Sequence, residues 1–329
     1  MNMHSRNNAA SDSADLSRHP GFSRVFQPGK LTFGFIAPLE GYRRSPFPTL
    51  ADHEALARQV DQAGFTSLWL RDVPFYDPGF GDVGQVLDPF VYLGFLASVT
   101  KRLTLGTAGI VAPLRDPVIV AKQAASVDQL SGGRLVLGMA SGDRPIEYPA
   151  FGIEFDHRDE RYRETFPIIR ALTETSFPRF DWQHYGTLQG TIDMVPKPAA
   201  GRIPLIVIGR SRQTIEWIAH NADGWIWYVS DYQQIGKVVQ AWRQAVGPGS
   251  FKPYGYGTFF DLSANPDAPI QVIHGVLTGG RHALIDLWKQ QEALGVSHVA
   301  LNLKPLQRPF AAVMEELAEY VLPAFPSHT

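Results

Sequence analysis

The chain has 329 residues, 44% of them hydrophobic, no cysteine, and a formal net charge of −2 from 30 basic and 32 acidic residues. The lack of cysteine excludes disulfide scaffolds, thiolate metal sites and cysteine nucleophiles, and no Lys/Arg run points to nucleic acid or a membrane surface. No apolar run is long enough to span a bilayer; the best, Pro89 to Val99, is short and carries Tyr92 and Gly94. From the N-terminus, the stretch through Asp15 is polar with no apolar core, so it does not read as a secretory signal. Residues 1–29 are expected to be a disordered arm, and 30–329 a single domain. The cysteine-free composition fits the cytoplasm.

Strand candidates then follow in order: Leu31–Ala37, Ser67–Arg71, Leu103–Ile110, Leu135–Met139, Leu205–Ile208, Gly224–Val229, Tyr254–Phe260 and His298–Leu303. Helical periodicity fills the intervals. Ile215, Ile218, Ala219 and Ala222 share one face, as do Phe310, Met314, Leu317 and Val321. Eight strands each followed by a helix is the count of an α/β fold of the (β/α)8 TIM-barrel kind. A doubly wound open sheet is the rival, but it rarely carries so many uninterrupted repeats. Long insertions are expected at Arg144–Arg158 and Thr175–Pro204, the latter with an extra strand at Thr191–Val195, and an irregular region at Leu262–Gly280. Loops of this length are usually lids or binding loops.

In a barrel the functional groups lie just after strands, and four loops qualify. The first is Arg71-Asp72-Val73-Pro74. Asp72 is a candidate catalytic carboxylate, set against an ion pair with Arg71 or Arg144. At Gly106-Thr107-Ala108-Gly109 the small residues suit a flat ring or a β-bulge. Ala140-Ser141-Gly142-Asp143-Arg144-Pro145 ends the fourth strand. Gly209-Arg210-Ser211-Arg212-Gln213-Thr214 opens a helix. There Ser211 is the expected N-cap, and free N–H groups with Arg210, Arg212 and the Thr214 hydroxyl suit an anion such as a phosphate.

The blocks LGTAGIVAPLRDPV, AKQAASVDQLSGGRLVLG and MASGDRP resemble the central signature of the flavin-dependent, bacterial-luciferase-like monooxygenases, and the match extends over about Lys30 to Phe325. The resemblance implies that Arg210, Ser211 and Thr214 hold the FMN phosphate and that Ala140, Ser141 and Gly142 line the ribityl chain. It also implies that Gly106 and Thr107 support the ring through a cis peptide. Luciferases carry arginine where Ser141 stands, so charge compensation falls to Arg210 or Arg144. They place a catalytic histidine where this chain has Val73, and valine moves no proton. The implied activity is oxygenation of a small organic substrate through a flavin hydroperoxide, with reduced FMN from a separate reductase and a homodimer formed through Pro89–Thr100 and Pro117–Leu130. Hydride transfer with a deazaflavin is the alternative, and a non-catalytic flavin-binding protein a third reading.

Other motifs read as bystanders. Gly79-Phe80-Gly81-Asp82-Val83-Gly84 has dinucleotide-fingerprint spacing but follows Pro78 rather than a strand, so it is expected to be a loop over the mouth, where Asp82 and Gln85 could touch substrate. The ten histidines show no metal-ligand spacing. Trp227 and Tyr228, near a strand end, could stack on a ligand.

Overall fold

The structure, a computed structural model, describes residues 16–228 and 231–327. Eight parallel strands carry the architecture: β1 (Thr32–Ile36), β2 (Ser67–Leu70), β3 (Thr104–Thr107), β4 (Leu135–Ala140), β5 (Leu205–Ile208), β6 (Gly224–Tyr228), β7 (Tyr254–Leu262) and β8 (His298–Asn302). Each pairs with its sequence neighbour, and β8 pairs with β1 along Thr32↔His298 to Ile36↔Asn302, which closes a TIM barrel. Their aliphatic runs suit strands covered on both faces. A helix follows every strand, from His53–Ala63 after β1 to Phe310–Glu316 after β8. The expected end of β6 at Val229 lies outside the described residues.

Three expectations change. Within the arm read over 1–29, residues 1–15 lie outside the described residues, but the rest is folded: Pro20–Val25 is a helix with Pro at its start and His19 as N-cap. Phe22, Val25 and Phe26 bury against the bottom of the barrel with Trp69, Val136 and Ile206, and apolar burial opposes disorder there. The strand expected at Thr191–Val195 is absent; the insertion instead forms a hairpin of Arg179–Trp182 with Gly186–Gln189. Leu262–Gly280 is not wholly irregular, since Gln271–Ile273 pairs with Val276–Gly279.

A polar chain fills the barrel bottom. Trp69 Nε1 donates to His298 Nε2 at 3.0 Å, and an indole can only donate. The imidazole therefore carries its proton on Nδ1, which faces Thr32 Oγ1 at 2.8 Å; Thr32 donates onward to the Val25 carbonyl at 2.6 Å. Burial pushes the His298 pKa down to about 3, and burial lowers that of His19 as well. The unfolded chain, with histidines near 6.5, binds protons that the native state refuses, so the stabilisation is complete above that value and is lost on acidification. For His298, stability should fall by about 1.4 kcal/mol per pH unit below pH ~6.5. Thermal unfolding at pH 7 and pH 5 checks this, and a His298→Gln variant should show the shallower dependence. Equal slopes in the two proteins would refute it.

Candidate active site

At the C-terminal end of the strands opens a cavity of about 570 Å³. Trp69 forms its floor, with Ile36, Ile208, Ile226 and Ala300 around it, and charged groups gather at the rim. The floor exists because of glycine: a Cβ on Gly106 would fall 2.1 Å from the Trp69 ring.

Between β3 and β4 the ladder slips. Gly106 pairs with Val136, and the next pair is Ile110 with Met139, so three residues oppose two. This is a β-bulge. Thr107 bridges the gap, its hydroxyl donating to the Gly138 carbonyl at 2.7 Å and accepting from the Gly138 N–H at 2.8 Å. Gly106 and Thr107 are thereby spent on structure, and it is Ala108 and Gly109 that line the cavity. The cis bonds among the described residues are Ala37–Pro38 and Val195–Pro196, so the cis Gly106–Thr107 peptide implied by the resemblance is not present.

The loops after β4 and β5 meet. Ala140, Ser141 and Gly142 line the cavity beside Gly209, Arg210 and Ser211. The Ser141 N–H donates to Ser211 Oγ at 3.2 Å, and Tyr148 Oη donates to the Ser141 carbonyl. Gly142, at φ 74°, could carry no Cβ without meeting Val111 at 2.7 Å. Ser211 and Arg212 adopt φ values of 45° and 55°, which delays the helix; the N-cap is Thr214, accepting from the Trp217 N–H, not Ser211. Thr214 is thus occupied, while Ser211 donates to the Ile208 carbonyl at 3.1 Å. Arg210 lies 5.9 and 5.7 Å from the rings of Trp225 and Trp227, and Trp225 fixes the turn by donating to the Gly209 carbonyl at 2.6 Å.

Positive charge is crowded here. Burial, and then the charge of Arg212, lower the pKa of Arg158, whose Nε has no hydrogen-bond partner. The cavity lining itself is compatible with a flat ring carrying an anion: small residues at 108–109 and 140–142, an apolar floor, and Arg210 at the edge. Arg158 was not singled out from sequence, because nothing in its local pattern places it beside a loop more than fifty residues on.

Asp72 has a different partner from either expected arginine. Arg115 grips both of its oxygens, at 2.8 and 2.6 Å, and the Val111 N–H adds a third bond at 3.0 Å. Its carboxylate braces β2 against the turn after β3, and Val73 beside it lines the cavity. The glycine-rich segment is indeed a loop across the mouth. Asp82 accepts from Tyr42 Oη at 3.1 Å and pairs with Arg71, and Lys304 donates to the Gly81 carbonyl. Burial alone would raise the Asp82 pKa, but the Arg71 charge and hydrogen bond bring it below the ordinary value. Gln85 does not reach the cavity; it binds the Arg71 backbone and the Leu87 carbonyl.

Arg144 is not spare for a phosphate. Its Nη2 donates to the Asp82 carbonyl at 2.9 Å, and its guanidinium covers the Phe80 ring at 4.0 Å. Glu147 stands beside it, with its pKa raised by burial against the opposing pull of Arg144. Trp227 and Tyr228 do line the cavity, as does Phe259.

A family model described as luciferase-like monooxygenase matches residues 31–260. Among curated relatives, an uncharacterized protein of Mycobacterium tuberculosis is 30% identical over 198 residues, covering 56% of this chain and 67% of that protein. The 4-hydroxyprotoasukamycin monooxygenase of Streptomyces nodosus is 29% identical over 182 residues, 54% of this chain and 47% of that enzyme, so the match spans under half of its length. An F420-dependent secondary alcohol dehydrogenase solved with an F420–acetone adduct superposes with TM-score 0.71 at 18% identity, over 90% of this chain and 99% of that one. The oxygenating constituent of a Pseudomonas putida 3,6-diketocamphane monooxygenase, solved with FMN, gives TM-score 0.69 at 13% identity, over 91% and 100%. At these identities the likeness to solved structures is one of fold.

Proposed function

Because the chain belongs to the luciferase-like monooxygenase family, we propose that it is an FMN-dependent monooxygenase acting on a small organic substrate in the cavity above Trp69. The observation that carries this reading is the joining of the β4 and β5 loops through Ser141 and Ser211, with Arg210 at the cavity edge. Arg210 and Ser211 would hold the phosphate end of reduced FMN, which when bound would supply the two electrons needed to put one oxygen atom of O2 into the substrate and release the other as water.

The protein's own work is binding, orientation and exclusion of water. Arg210 neutralises the phosphate, Ala108 and Gly109 let the ring approach the barrel wall, and the apolar floor keeps the reacting centre dry. With Asp72 held by Arg115 and Val73 unable to carry a proton, no luciferase-type acid–base step is assigned. A separate reductase supplies the reduced flavin, the chain works as a cytoplasmic homodimer, and the exposed Val91 and Ile119 of the Pro89–Val99 and Pro117–Ser131 helices are the apolar contacts it would use. Among the described residues no helix is long and apolar enough to cross a membrane.

The fold likeness to an F420-dependent enzyme supports a second reading, hydride transfer with a deazaflavin. Fluorescence or calorimetric titration with FMN, reduced FMN and the deazaflavin decides between them. Preference for FMN, above all reduced, is the expected result; selective uptake of the deazaflavin replaces the first reading by the second, and uptake of neither defeats both.

A further inference from the structure

One donor in the cavity wall has no partner and is open to the cavity. Asn302 ends β8, paired in register with Ile36 of β1 and Phe259 of β7. Side chains alternate across a strand, so His298, Ala300 and Asn302 share the inward face; His298 is bonded to Trp69 and Ala300 packs in the same inner cluster. Asn302 is 7% exposed and lines the cavity above them. The Lys304 N–H donates to its side-chain oxygen at 3.1 Å. A backbone N–H can only donate, which fixes the orientation of the amide and leaves Nδ2 as its other end. Nδ2 has no hydrogen-bond partner among the described residues, and it is not one of the unpartnered side-chain atoms shut away from accessible surface.

The polar groups around it are engaged. Thr258 Oγ1 donates to the Phe259 carbonyl and meets Tyr232 Oη at 2.6 Å, and Tyr228 Oη donates to the Gly275 carbonyl. Arg71 pairs with Asp82, and Lys304 reaches the Gly81 carbonyl. In the closed barrel β8 stands four strands from β4, so the donor faces the cavity from the wall opposite Ser141, away from the loops assigned to the flavin phosphate.

We infer that Asn302 is a specificity-determining residue that receives a neutral acceptor oxygen of the substrate, as in a carbonyl or ether, on an apolar body. An amide N–H2 needs an acceptor and gains nothing from a group that only donates. With Arg71 and Lys304 engaged, a carboxylate held at Asn302 would be desolvated without a counterion of its own. The apolar body follows from the walls that flank the amide, Ile36, Ala300 and Phe259. This inference deepens the monooxygenase reading and rests on it for taking the cavity as the substrate pocket.

The test is a ligand-observed NMR titration of the FMN-loaded protein with acetophenone, its oxygen-free isostere α-methylstyrene, and benzoate. The affinity ratio of acetophenone to α-methylstyrene should fall about three- to tenfold in Asn302→Leu, the fold-change of one neutral hydrogen bond. Asn302→Asp should lower it as much, because a carboxylate still accepts from the Lys304 N–H but donates nothing. Wild type should bind benzoate more weakly than acetophenone. A ratio within about twofold of wild type in both variants overturns the inference, and so does a fall in Asn302→Leu alone, which would leave Asn302 only its role in the Lys304 turn. Benzoate binding the tighter, or FMN affinity lost with the ratio unchanged, would overturn it too, the latter by giving the donor to the flavin. FMN uptake is followed separately by fluorescence, and where it fails the ratio is read in the FMN-free protein, so the cofactor reading can fall while this inference is still decided.

Discussion

Replacing Arg210 by alanine should weaken FMN binding by roughly tenfold to a hundredfold, the loss of about 1.5–3 kcal/mol expected for a hydrogen bond to a charged group. Arg210 lines the cavity and reaches only weakly to its own loop, its Nε lying 3.4 Å from the Gln213 carbonyl. Trp225 and Trp227 hold the guanidinium in place without neutralising it. Arg144, the other arginine considered for charge compensation, is bound to Asp82 and Phe80. The readout is quenching of flavin fluorescence, with riboflavin as the control: it lacks the phosphate, so the substitution should leave its affinity nearly unchanged. Unaltered FMN affinity would remove Arg210 from the phosphate site.

Gly138→Ala should be the most damaging single methyl in the barrel. The new Cβ would lie 2.0 Å from the Thr107 carbonyl oxygen, with Ile208 atoms at 2.9 and 3.0 Å. The carbonyl belongs to the bulge and cannot rotate away without disturbing the two bonds between the Thr107 hydroxyl and the Gly138 backbone, one donated by each. Overpacking a barrel wall in this way costs about 3 kcal/mol, and the same shift would displace Ala108 and Gly109. Chemical denaturation measures the loss, and a midpoint within experimental error of wild type would show that the wall yields more easily than its geometry implies.

The barrel was legible because its signals are local. Each strand is a short aliphatic run, and each helix repeats its apolar residues at helical spacing, so all eight units could be placed one by one. Glycine and serine after β4 and β5 likewise marked the cavity loops. What could not be read was pairing across distance. Asp72 and Arg115 are 43 positions apart, Tyr42 and Asp82 40, and Lys304 and Gly81 223; no window of sequence holds both partners. The bulge gave an ambiguous signal, since glycine serves both a ring-binding wall and a slipped ladder, and here it serves the ladder at Gly106 and the cavity at Gly109. The folded segment at residues 20–26 did leave a local trace, Pro20 followed by Phe22, Val25 and Phe26, which the polar stretch ahead of it obscured.

The cavity's two ends are built by different physics. Its floor is one indole, wedged against a glycine and tied to a neutral histidine, where a change of one atom is felt through the barrel. Its mouth is a loop fastened by Arg71, Asp82, Arg144, Tyr42 and Lys304, contacts that can be exchanged in matched pairs. An engineer seeking new molecules for this scaffold would therefore leave Trp69 and His298 alone and draw a library from the mouth, where diversity can be introduced without recasting the core.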